Sequence, residues 1–476
     1  MPSDTAKRLL PWVVAVGFFM EALDTTILNT AVPAVAHALH VQPLNMKAVL
    51  ASYTLSLAVF IPVSGWTANR FGTRPVFAAA IGIFTLGSFL CGMSTDIHWL
   101  VVCRILQGFG GAMMLPVGRL TMVRTFAKSE LIRAMGFVSI PGLVGPMLGP
   151  LLGGLIIRYF HWSVIFFVNV PIGLAGLYMV QRHFPDFRAP TVSPLDVIGL
   201  VLFGSGISLL SYVLEIFGEH TLSGREILGL LAISAVLLGA YGLNTQRMLH
   251  PLLSLALFRI RTFRIAVTGS LCTRIGIGGL PFLLPLLYQV GLGFTAIQSG
   301  LLIMPQALAA MSLKPTLPRI LRRFGFRRVL VYNTLMLGVM LVLFSTIDAG
   351  TPVWLIPPMT FVYGLFTSAQ YTSMNTLAYA DVNGEQASGA STIASTFQQL
   401  AISFGVAAAS LCAALFMGGS TPDPAEMIHG VHFALRILGA VTILATAVFL
   451  GLRPRDGESV SAHKAQRSAV RQLGNS

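Results

Sequence analysis

"RFGTRPV" at residues 70–76 returns as "RFGFRRV" at residues 323–329, five of the seven positions identical and the copies 253 residues apart. Gly136 and Gly389 stand at the same separation, a weaker match in a glycine-rich chain. Each copy of the heptapeptide is a short basic, glycine-centred segment set between two apolar runs. The composition of those runs decides what kind of unit is repeated.

The 476 residues are 55% hydrophobic and only 10% charged, and the mean hydropathy is +0.77. A soluble domain carries roughly 25% charged residues, so too few polar side chains exist here to wrap a water-facing surface. Residues 76–93, 197–214, 227–243 and 437–452 are almost free of charge, near the ~20 residues a helix needs to cross hydrocarbon. Strands of a membrane barrel would alternate over ~10 residues, and these runs do not alternate. The reading is an all-α polytopic membrane protein. Many of the 47 glycines lie inside apolar runs, where small residues let helices approach. Cys91, Cys103, Cys272 and Cys412 all fall in such runs without a CxxC spacing, which argues against a disulfide framework or zinc site. Lys7 and Arg8 precede an apolar run too long and too acidic for a signal peptide, so it reads as an uncleaved first helix.

Charges and Gly/Pro clusters divide the chain into fourteen spans. The expected organisation is a cytoplasmic N-terminus at 1–10, a six-helix half at 11–185, two linking helices at 186–250, a second six-helix half at 251–452 and a basic cytoplasmic tail at 453–476. With both termini inside, 23 Lys and Arg fall in cytoplasmic segments and three outside, the asymmetry of the positive-inside rule. It accounts for the net charge of +14 without a nucleic-acid partner, the basic residues marking topology and meeting anionic lipid. Both heptapeptide copies then lie in a cytoplasmic loop between the second and third helix of a six-helix set. Parallel six-helix halves are a secondary-transporter design, with cargo held between them and access alternating as they rock.

Specific motifs sharpen this. "GWTANRFGTRP" (Gly65–Pro75), "RILQGFGGAMM" (Arg104–Met114) and "GLVGPMLGPLLGG" (Gly142–Gly154) resemble signatures of the major facilitator superfamily. "LDTTILNTAVP" (Leu23–Pro33) and "HWSVIFFVNVPIG" (His161–Gly173) resemble those of its fourteen-helix drug/proton antiporter branch. The resemblance implies the major facilitator fold in a bacterial inner membrane, with proton antiport exporting small molecules. It also implies a gating loop at Gly65, Asn69, Arg70, Gly72 and Arg74, and a helix-five motif at Gly145, Pro146 and Gly149. Asn69 stands where the family usually has an acid, and Pro141 and Pro150 where it often has glycine. Glycines 145 and 149, one turn apart, make a groove for a partner helix, and Pro146 removes a backbone hydrogen bond.

Glu21 and Asp24 are the two acids well inside spans, at a spacing that puts them on one helix face. Intramembrane carboxylates are expensive and by default functional. Asp24 is expected to couple protons by exchanging with Arg104, and Glu21 to serve as a second proton or substrate site; an ion pair that only orients the first helix is the alternative. Five basic residues also fall in spans: Arg104, Arg119, Arg274, Lys314 and Arg436. Arg119 and Arg436 suit a place near an interface. Arg274 and Lys314, with Thr273, Gln289, Gln306 and Gln370, could line a site for an organic anion such as a carboxylate or metal-carboxylate complex. Phe282, Tyr288, Tyr363, Phe366 and Tyr371 could instead form an adaptable aromatic pocket for amphipathic drugs.

No GxxxxGK[ST] loop is present, against a primary pump. No cluster of nucleophile, base and metal ligands suggests an enzyme, and His429 with His432 reads as a solvated pair. No cofactor is expected, the proton motive force supplying the drive. The partners expected are a small-molecule substrate, protons and membrane lipid.

Overall fold

The structure is a computed structural model and describes residues 4–126, 141–189, 192, 194–216, 223–248, 251–382, 386–415 and 423–457. Gly136, Lys128, Arg133 and the tail from residue 458 lie outside the described residues.

Fourteen long helical segments follow one another, with no strand among the described residues. The first set is α1 (Asp4–Ala38), α2 (Lys47–Phe71), α3 (Thr73–Gly92), α4 (Ile97–Thr125), α5 (Pro141–Tyr159) and α6 (Val164–His183). Then come α7 (Val197–Ile216) and α8 (Gly224–Arg247), packed on each other. The second set is α9 (Arg261–Gly291), α10 (Ala296–Leu313), α11 (Leu317–Phe344), α12 (Ile356–Ala378), α13 (Ala387–Ala414) and α14 (Pro424–Leu450). Twelve are long and apolar enough to cross a membrane. The other two, α5 and α12, pack among them against α10. In α12 the buried face itself is polar, with Thr360, Thr367, Ser368, Gln370 and Ser373, which lowers its hydropathy.

Local chemistry sets several boundaries. Asp96 caps α4 by accepting from Trp99 N at 2.9 Å, and Thr295–Gln298 forms a capping box at the start of α10. The helix of α9 is interrupted at Gly279, ahead of Pro281, and finishes in a wide turn over Leu287–Gly291, as expected where prolines remove amide donors. Arg264 lies in the first turn of α9. The repeat is visible in the backbone: Gly72 has φ 101° and Gly325 φ 77°, a left-handed turn at the same place in both heptapeptides. Only glycine adopts that conformation freely.

Three apolar cores organise the bundle. At the end where α1 finishes and α2 begins, one core joins both sets, bringing Val32, Ala36 and Leu44 together with Leu287, Tyr288 and Phe344. At the opposite end, which holds the start of α1 and the finish of α14, each set has its own core, that of the second also taking in Ala58 of α2. One is built on Val14, Phe77, Met122 and Phe184, the other on Phe263, Leu321, Phe326 and Phe449 with Phe203 and Tyr241 of the linking helices. The two sets are thus sealed at the far end and parted toward the end bearing the termini.

Candidate functional site

Asp24 and Arg104 are each 1% exposed, and Arg104 Nη1 donates to Asp24 Oδ2 at 2.5 Å. The other carboxylate oxygen, Oδ1, accepts from Gln107 Nε2 at 2.8 Å and Asn169 Nδ2 at 3.0 Å. Arg104 also donates to Gln107 Oε1 at 2.7 Å, and its guanidinium lies 4.2 Å from the centre of the Tyr53 ring. Gln107 reaches Ser88 Oγ at 2.6 Å, so five helices meet in one polar knot. The close approach of α3 and α4 there requires Gly87, where a Cβ would come within 2.8 Å of the Gln107 backbone. A charged pair in so dry a place is retained only with its remaining hydrogen bonds satisfied.

Gln107 and Asn169 were not singled out from the sequence, although both lie inside motifs quoted above. A neutral amide in an apolar run gives less signal than a charge.

Between the two sets lies a cavity in two lobes, of about 320 Å³ and 360 Å³, meeting at Asn29 and Pro281. The first lobe is lined by Glu21, Thr25, Tyr53 and Arg104 on one side and by Phe282 and Gln398 on the other. Glu21 is half-buried and its Oε2 has no hydrogen-bond partner. The two acids therefore have different surroundings: Asp24 is sealed in the knot, Glu21 is on the cavity wall. Arg104 belongs to both.

The second lobe is lined by Gln306, Lys314 and Tyr371, among others. The remaining expected substrate residues stand elsewhere. Arg274 is buried, donates to Ser270 Oγ at 3.0 Å and sits 3.7 Å from the centre of the Tyr371 ring, behind the wall. Gln289 donates to the Thr30 carbonyl at 2.8 Å, a bond between the two sets near the far end. Tyr363 is in the far-end core, edge-on to Phe344. Gln370 bonds Asn333 and Thr334 inside the second set. Their helices turn those side chains away from the cavity. Arg119 is exposed, 5.8 Å from the Phe18 ring, and Arg436 donates to Ser345 Oγ at 3.3 Å. His432 is half-buried with a ring nitrogen 2.8 Å from the Ile347 carbonyl, rather than solvated.

The helix-five glycines face α1. A Cβ on Gly145 would come within 2.8 Å of Ala22 Cβ, and one on Gly149 would collide with the Thr26 hydroxyl. Pro146 falls within the helical backbone of α5, its side chain lying outside the described residues. Further along, Gly154 abuts Ala296 and Gly300 abuts the Pro150 carbonyl, closing α5 onto α10.

The expected gating loop is mostly helical, Gly72 alone separating α2 from α3, and in the last turn of α2 Asn69 Oδ1 accepts from Arg124 Nη2 at 2.8 Å, within the first set. Arg74 Nε donates to the Phe184 carbonyl at 2.6 Å. Gly72 is covered by Asp186 and Arg188, Arg70 is exposed, and Gly65 has nothing within 4 Å of a built Cβ. Among the described residues no group of three or more His, Cys, Asp or Glu could hold a metal ion.

Comparison with known proteins matches this architecture to a family. The sequence model of the Major Facilitator Superfamily matches residues 14–406. The chain is 40% identical over 471 residues to "Putative multidrug resistance protein MdtD" of Escherichia coli (strain 536 / UPEC), covering 98% of this chain and 99% of that one. It is 40% identical over 456 residues, 96% of each chain, to the protein of the same name in Cronobacter sakazakii. Among solved structures, the POT family transporter PepTSo gives a TM-score of 0.68 at 16% identity, over 96% of this chain and 99% of that one. The nucleoside transporter NupG gives 0.65 at 13%, over 94% and 99%. At those identities the likeness concerns the fold. From the family match and relatives aligned over nearly their whole length, the chain belongs to the major facilitator superfamily.

Proposed function

We propose that this transporter is a proton antiporter of a bacterial cytoplasmic membrane that exports small amphipathic molecules, with both termini in the cytoplasm. The observation that carries the reading is Arg104, which lines the cavity between the halves and also pairs with the sealed carboxylate of Asp24. A change in the cavity thereby reaches a group that can carry a proton.

With Asp24 paired to Arg104 its carboxylate is ionised, and the halves are parted toward the end bearing the termini. That is the state an exporter needs for loading cargo from the cytoplasm, its proton already given up. When the far end opens instead, a proton arriving from outside neutralises Asp24. Arg104 then stands as a buried cation without its partner, a penalty of about 3–5 kcal/mol for a broken buried pair. A difference of ~1.4 kcal/mol in that penalty between the two states would already change their ratio tenfold, so exchange at this pair is the means proposed to bias the rocking. The names of the MdtD relatives add support for a drug-like cargo. Thr25, Asn29, Tyr53 and Phe282 offer a mixed polar and aromatic wall for such molecules.

A second reading, export of an organic anion, is favoured by Lys314 on the wall of the second lobe. Inside-out vesicles with an acidified interior and a pH-sensitive dye separate the two. Proton release on adding a lipophilic cation is expected; release only with di- or tricarboxylates would move the assignment to the anion exporter, and release with neither would reject antiport of both.

A further inference from the structure

The two copies of the repeated heptapeptide are finished differently. In the first half, the chain leaving α6 folds back over the turn: Thr73 Oγ1 donates to the Pro185 carbonyl at 2.9 Å, and Asp186 Oδ1 accepts from Arg74 N at 3.3 Å. The niche beside Gly72 is thus filled by protein and carries an acid. In the second half the corresponding exit segment, after α14, packs on Phe326, where a Cβ on Gly457 would come within 2.5 Å of the ring, but it leaves the glycine itself more open, the nearest atom to a built Cβ on Gly325 being the Pro454 carbonyl at 3.7 Å. Its acid, Asp456, stands on the edge of the niche with its charge already matched, paired with Arg261 and accepting from Arg453 N.

What remains is a cavity of about 490 Å³ beside Gly325. Arg322, Arg323, Arg327 and Arg328 line it, and none of them makes an ion pair among the described residues. Its other wall holds exposed Tyr332 and Leu450. Tyr332 lies six residues beyond Phe326 on α11, or ~9 Å of helix into the span. The arginines are therefore at the polar boundary while Tyr332 and the end of α14 reach toward hydrocarbon.

The geometry points to a binding site for an anionic phospholipid, its phosphate held by these four arginines and its acyl chains lying along Tyr332 and Leu450. Guanidinium groups bind phosphate oxygens bidentately and keep their charge. Basic pockets between spans are suited to lipid headgroups. A soluble phosphate would use the arginines and leave the apolar wall bare, which is why the lipid is the occupant favoured. A headgroup with two phosphodiesters matches four guanidinium groups better than one. The lipid would take the place that the acidic exit segment takes in the first half, bracing the kink at Gly325 within α11 against α14.

Native mass spectrometry of the delipidated full-length protein, titrated with diphosphatidylglycerol, phosphatidylglycerol or phosphatidylcholine, tests this. Expected is a preference for the anionic lipids, strongest for diphosphatidylglycerol, that falls by about tenfold or more in Arg327→Gln/Arg328→Gln. The Arg327→Lys/Arg328→Lys variant should keep most of the binding, separating lost charge from a damaged fold. An unchanged affinity in the glutamine variant would overturn the site. So would an equal loss in a charge-matched control, Arg182→Gln/Arg247→Gln, since the field of the whole basic face would then explain the preference. Displacement by excess inorganic phosphate would overturn the lipid assignment.

Discussion

Asp24 and Glu21 are three residues apart, and the consequence of that spacing depends on a rotation the sequence does not fix. Three steps of an α-helix turn ~300°, leaving the two side chains ~60° apart. That places one in the knot with Arg104, Gln107 and Asn169 and the other on the cavity wall. Arg104→Gln strands the buried carboxylate and is expected to destabilise the protein by about 3–5 kcal/mol, read as a drop in the thermal midpoint of the purified protein. Adding Asp24→Asn to it should restore most of that loss; two independent losses that simply add would argue against a coupled pair. Glu21→Gln is expected to leave the midpoint unchanged and to weaken binding of lipophilic cations, as measured by equilibrium binding. Asp24 and Arg104 were legible because charges are rare inside spans. Gln370 and Tyr363 were misleading for the complementary reason: their residue types suit a substrate site, but which face of α12 meets the cavity follows from packing alone.

At the scale of elements, the far-end closure rests on backbones that touch. A Cβ on Gly300 would collide with the Pro150 carbonyl on the facing helix. Gly300→Val should therefore lever α10 away from α5 and favour an opening at the far end. The readout is Thr30→Cys in a background lacking the four native cysteines, treated with a membrane-impermeant maleimide from outside. Thr30 is 1% exposed, so labelling should be slow in the otherwise native protein and markedly faster with Gly300→Val; equal rates would mean this contact does not hold the closure. The glycine groove of α5 could be anticipated from the spacing of Gly145 and Gly149, yet not its partner, α1, because any helix with small side chains fits such a groove. The repeated heptapeptide was more informative. Its glycine takes a left-handed φ in both copies, a requirement that local sequence alone expresses.

Across the whole molecule, the order of helices was legible because hydrocarbon thickness imposes a length on every span. The direction in which the cavity opens was not, since it depends on which apolar surfaces of the two halves meet, as they do in the far-end core. The charge asymmetry predicts that a C-terminal fluorescent-protein fusion glows and a C-terminal alkaline phosphatase fusion is inactive; active phosphatase would invert the orientation. If Asp24 carries the coupling proton while the cavity binds cargo, the two functions should separate in one variant. The direct measurement places wild type and Asp24→Asn in proteoliposomes, comparing lipophilic-cation transport driven by an imposed pH gradient with exchange of labelled for unlabelled cation at equal pH. Asp24→Asn is predicted to lose the first and keep the second; gradient-driven transport that survives in Asp24→Asn would mean that Asp24 does not carry the coupling proton.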